Sequence, residues 1–183
     1  MKKYVFLVGS SIIQRWNNIS DFSKKKIFNL GVSRFITKNI LQKEYLESLV
    51  VAKKYNNGGE IIIYPEYLIY YCGNNDLLRD INPNTVIKNI KKFLLYAKKM
   101  FEGKTKLVYL SLLKSPKKYI IGHENYIDYI NYNILLFCKK HNFIYIELNF
   151  LLNAKNDYLK DGVHITNKGY NKINNLLKIK NIL

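Results

Sequence analysis

Apolar positions along the chain fall into short continuous runs separated by longer stretches of helical periodicity. Residues 3–9 hold the first run, Tyr4, Val5, Phe6, Leu7 and Val8 in succession, closed by Gly9. That is the pattern of a strand buried on both faces. Ser10 and Ser11 then open a helix. A second apolar run at 26–31 again closes on a glycine, Gly31. Helical periodicity covers 34–54, and Asn56-Asn57-Gly58-Gly59 marks a turn. The apolar stretch 60–72 is interrupted by Pro65, which leaves Tyr67 to Cys72 as the central strand, because proline cannot donate to a sheet. Residues 84–101 read as a helix with Asn84 as N-cap after Pro83. Lys106 to Leu112 is a strand, 124–141 a helix, Phe143 to Leu148 the fifth strand, and 167–179 the closing helix.

Five strands that alternate with amphipathic helices predict an α/β fold: one parallel sheet of five strands covered on both faces. Right-handed crossovers make it a doubly wound, three-layer sandwich. At 183 residues the chain fits a single domain, 1–183, and no linker or repeat divides it. In such sheets functional residues gather just past the carboxyl ends of the strands.

Composition adds a charge question. The net charge is +17, with 30 Lys+Arg against 13 Asp+Glu. Only Arg15, Arg34 and Arg79 are arginines, and the lysines are scattered in short runs. This charge fits either an anionic partner or a lysine-rich coding bias that also enriches Asn, Ile and Tyr. No nucleic-acid partner is expected from it. No apolar run reaches a membrane span, and the one at the N-terminus is too short for a secretory signal, so a cytoplasmic protein without transmembrane segment is expected. Cys72 and Cys138 form no Cys-x-x-Cys pair, so neither a metal site nor a redox motif is expected. Both read as buried free thiols. His123 reads as a loop or helix-start residue, and His141 ends a helix, where a cation suits the dipole.

The residues just after the strands carry chemistry. They are Gly9-Ser10-Ser11, Gly31, Gly73-Asn74-Asn75-Asp76 and, directly before the last helix, Asp161-Gly162-Val163-His164. A serine hydroxyl is a poor nucleophile until a base takes its proton, and His164 is the candidate base for Ser11. Asp161, three residues earlier, is placed to hold the other ring nitrogen and fix the tautomer. The Ser11 and Gly31 amides and the Asn75 side chain are the candidate donors for an oxyanion.

In this order and spacing the four segments resemble the four sequence blocks of the SGNH hydrolases, also called GDSL-type esterases and lipases. Ser11-Ile12-Ile13-Gln14-Arg15-Trp16, Lys114-Ser115-Pro116 and Asn167-Lys168-Gly169-Tyr170 further resemble the branch related to platelet-activating-factor acetylhydrolase. The resemblance implies a flavodoxin-like three-layer fold, ester hydrolysis, and neither metal nor cofactor. Ser10 stands where that family often has Asp, and Val32-Ser33-Arg34 follows Gly31 where a second small residue is common. Arg34 then either rims the pocket and favours an anionic substrate or sits on the surface of the next helix.

Three functions remain open at this stage. One is an esterase for small acyl groups, of acetyl type, on a glycan or another small alcohol. The second is a lysophospholipase or thioesterase. The third is a non-catalytic basic module that binds glycans or nucleic acid. The oligomeric state is not legible.

Overall fold

The computed structural model describes residues 3–49, 52–54, 60–62, 64–117 and 122–183. Strands β1 (Tyr4–Gly9), β2 (Lys26–Gly31), β5 (Tyr67–Tyr71), β6 (Lys106–Leu110) and β7 (Ile144–Ile146) form one all-parallel sheet in the order β2-β1-β5-β6-β7. Every residue of β5 is buried, as its unbroken apolar sequence requires for a strand with helices on both faces. The edge strand β2 instead has only exposed and half-buried positions.

The chain leaves β1 in one direction and returns to the sheet on the other side of it. This reversal makes a switch point between β1 and β5. Helices α5 (Pro83–Met100) and α6 (Glu124–His141) pack together on one face. On the other, α7 (Asn167–Ile179) packs against the short 3₁₀ turn Asn18–Phe22. It also grips the segment after β1, where Trp16 donates to Asn174 Oδ1 (2.8 Å) and lies over Tyr170 at 5.7 Å between ring centroids. The Tyr170 hydroxyl donates to the Ile12 carbonyl at 2.7 Å. The architecture is the expected α/β/α sandwich.

Several boundaries depart from expectation. No continuous helix covers 34–54. Thr37–Ile40 (α2) and Lys43–Ser48 (α3) are separate helices, and Ala52–Lys54 (β3) pairs antiparallel with Glu60–Ile62 (β4). The break lies at Gln42, whose backbone is extended (φ −70°, ψ 143°) and whose carbonyl accepts from Leu46 to start the second helix. Helical spacing of apolar residues survives such a break, so the pattern alone reads through it. The expected turn at 56–59 lies outside the described residues. The N-cap of α5 is Asn82, not Asn84: its side chain accepts the Asn84 N–H at 2.8 Å, and Pro83 takes the first helical position, where its missing N–H costs nothing. Strands β6 and β7 are shorter than the apolar runs that announced them. Among the described residues no helix is long and apolar enough to cross a membrane.

Candidate active site

The first strand ends in a forced turn. Gly9 takes φ 152°, and a Cβ there would stand 1.9 Å from the Tyr71 carbonyl oxygen. Only a glycine lets β1 exit this close to β5. The turn delivers Ser10 and Ser11 to the start of the four-residue helix α1 (Ser11–Gln14). Ser10 occupies the cap position without a side-chain capping bond. Substituting Gly9→Ala should destabilise the fold by about 3–4 kcal/mol, because the clash is with backbone that cannot rotate away. Urea denaturation with an unchanged slope and a lower midpoint would register it.

The Asp161–His164 turn arrives from the other end of the sequence. Asp161 Oδ1 accepts the backbone N–H groups of Val163 and His164, both at 2.9 Å, which winds the four residues into a tight turn. The second carboxylate oxygen, Oδ2, lies 2.6 Å from His164 Nδ1. His164 Nε2 lies 3.1 Å from Ser11 Oγ. Partial burial pushes the Asp161 carboxyl up, but the His164 ring N–H and the two backbone donors outweigh it and hold it well below the usual carboxylate range. Asp161 is therefore a fixed anion facing Nδ1. That favours the tautomer with hydrogen on Nδ1 and a lone pair on Nε2, toward the serine.

The block after β5 braces the neighbouring loops. Asn74 accepts from the Tyr71 hydroxyl (2.7 Å) and donates to the Leu113 carbonyl (2.8 Å). Asn75 gives one amide hydrogen to the Phe35 carbonyl (3.0 Å), and among the described residues its second has no acceptor. Asp76 is fully buried and takes both the N–H and the hydroxyl of Thr37. Burial raises its carboxyl, and the Thr37 bonds counter that in part. Arg79 donates to the Arg34 carbonyl at 3.1 Å. Asn75, Asp76 and Arg79 thus clamp the loop 34–37 from one side.

Gly31 does not fit the donor role expected of it. Its N–H is engaged by the Asn29 side chain at 3.0 Å, and a Cβ on it would lie 2.3 Å from the Gln14 backbone nitrogen. Glycine is needed there for the close approach of β2 to α1. Arg34 is exposed and lies in the loop before α2, not on the helix; its backbone is left-handed at φ 63°. Cys72 is wholly buried, and burial pushes its thiol well above the ordinary range, with Asp76 adding to the effect.

Beside Ser11 opens a cleft lined by Ser10, Ile12, Tyr71, Asn74, Asn75, Leu113, Ser115 and Val163. Its free volume is about 10 Å³, room for a single water. Of these, Tyr71, Leu113 and Ser115 were not singled out from the sequence as site residues. Tyr71 ends β5 and Leu113 lies in the loop after β6, where no motif marks them, and Ser115 belongs to Lys114-Ser115-Pro116, which the family resemblance marks without assigning it a role.

No protein-family model matches the chain, and no curated protein matches it in sequence. Solved structures do match in fold. A GDSL-like lipase from Bacteroides thetaiotaomicron is 20% identical, with a TM-score of 0.68 over 100% of this chain and 89% of that one. A member of the lipolytic G-D-S-L family from Veillonella parvula is 15% identical, with a TM-score of 0.71 over 97% of each chain. A carbohydrate esterase family 3 protein from Talaromyces cellulolyticus is 15% identical, with a TM-score of 0.70 over 98% of this chain and 96% of that one. At these identities what is shared is the fold, and this chain has the fold of the GDSL-type hydrolases.

Proposed function

We propose that this chain is a serine esterase that cleaves small acyl esters, with Ser11 as nucleophile, His164 as general base and Asp161 as its orienting anion. The observation that carries the reading is the unbroken relay from Asp161 Oδ2 to His164 Nδ1 (2.6 Å) and from His164 Nε2 to Ser11 Oγ (3.1 Å). His164 takes the hydroxyl proton as Ser11 Oγ attacks the ester carbonyl, then returns it to the departing alkoxide. The same base then activates water to release the acyl group from Ser11. The backbone N–H of Ser11 and the free amide hydrogen of Asn75 are the donors proposed for the oxyanion. Gly31 drops out of that set, since its N–H already serves Asn29. The solved GDSL-type structures, among them a carbohydrate esterase, support ester hydrolysis as the class of reaction.

The narrow cleft beside Ser11 favours short acyl groups over long ones. In a series of p-nitrophenyl esters, kcat/KM should fall at least about tenfold from acetyl to butyryl and further to octanoyl, because each added methylene must overpack a filled cleft. A preference for octanoyl would favour the lysophospholipase reading instead. The binding-module reading draws on the basic charge, but the clustered lysines Lys3, Lys24, Lys25 and Lys26 line a separate cleft at the opposite end of β1 and β2. Labelling of Ser11 by a fluorophosphonate separates an esterase from a binder, since only an activated serine reacts.

A further inference from the structure

The loop that leaves β6 carries a polar group for which the proposed reaction has no use. Ser115 is 5% exposed, and its hydroxyl is buried without a hydrogen-bond partner among the described residues. It lines the same cleft as Ser11, Asn74 and Asn75. A buried hydroxyl left without a partner among the described residues is costly, and a polar group entering the cleft would supply one. The loop cannot swing to find one. On its near side the Leu113 N–H donates to the Tyr71 hydroxyl (3.4 Å) and the Lys114 N–H to Asn149 Oδ1 (2.8 Å). Asn149 also donates to the Leu112 carbonyl at 3.0 Å. On its far side the Lys117 N–H donates to the Gly162 carbonyl at 3.0 Å. These bonds fix the loop that brings Ser115 to the cleft wall.

The position of this cleft says which half of an ester meets it. The leaving alcohol must lie against His164 Nε2, because that nitrogen returns the proton to it. His164 does not line the cleft, whereas Ser11 and Asn75 do. The cleft therefore takes the acyl side of the carbonyl. Its free volume admits little more than one heavy atom beyond those the surface already accommodates. An apolar atom placed there would leave the Ser115 hydroxyl unpaired, and a hydroxyl would pair with it.

Resting on the esterase reading, we propose that Ser115 is a specificity residue that selects two-carbon acyl groups bearing a 2-hydroxyl. Glycolyl and propionyl esters are the matched pair for the test, since they differ only in hydroxyl against methyl. With phenyl as the common alcohol, wild-type protein should favour glycolyl over propionyl by about tenfold in kcat/KM. Ser115→Ala should bring the ratio to within about twofold of unity. Its thermal midpoint should not drop, because the hydroxyl it removes has no partner among the described residues. An unchanged ratio in Ser115→Ala overturns the proposal. The free acids glycolate and propionate, titrated into wild type and Ser115→Ala and followed by NMR, give a readout that needs no turnover. Tighter glycolate binding that is lost in the variant supports the assignment, and equal binding of both acids by wild type overturns it. Selective glycolate binding with no hydrolysis of any ester would sustain Ser115 and sink the esterase reading.

Discussion

Ser11→Ala should lower kcat/KM for phenyl acetate by about 10⁴- to 10⁶-fold while leaving the protein folded. The expected loss is large because nucleophile, base and orienting anion act as one unit, and removing the attacking oxygen leaves only binding and oxyanion donors. Stability should hardly change. Ser11 is 7% exposed, and its hydroxyl is hydrogen-bonded to His164. Deleting one oxygen there makes no cavity of consequence, so the thermal midpoint should stay within about 2 °C of wild type. The variant should also escape fluorophosphonate labelling. Retained turnover in a purified Ser11→Ala sample would remove Ser11 from the mechanism.

Asp161→Asn should cost about 10³- to 10⁴-fold in kcat, and for a different reason. An asparagine can still accept the Val163 and His164 backbone N–H groups through its carbonyl oxygen, so the turn survives. The atom facing His164 Nδ1 then becomes an amide donor where a carboxylate oxygen stood at 2.6 Å. A donor there demands a lone pair on Nδ1, which moves the ring hydrogen to Nε2 and aims it at Ser11 Oγ. A ring in that tautomer cannot take the serine proton. KM should change far less than kcat, because substrate does not contact Asp161. If Asp161→Asn kept more than a tenth of wild-type kcat, the orienting role would be wrong.

Much of the site was legible because its parts follow strand ends, where fold and chemistry meet. Gly9-Ser10-Ser11 and Asp161-Gly162-Val163-His164 are local motifs, and each folds as a local turn. What was not legible depends on side chains that reach across the chain. Asn29 occupies the Gly31 amide from two residues upstream, a bond that no spacing announces. The unpaired hydroxyl of Ser115 is defined by what fails to surround it, which only packing reveals. The broken helix at Gln42 kept an apolar pattern that reads as continuous, because the backbone turns while the apolar face is preserved. Pro83 was read as flanking the helix, although its fixed φ suits it to begin one.

The grip of α7 on the segment after β1 bears on how the protein is made as well as on how it works. Trp16 meets Asn174 across 158 positions of sequence, and Ser11 meets His164 across 153. Contacts this distant are entropically expensive to close early and belong to the late stages of folding. Partly folded chains with β1 and β2 already paired would have a serine but no base beside it. On the proposed mechanism, hydrolytic competence would therefore mark the completed molecule, because Ser11 has no base until the segment carrying His164 has docked.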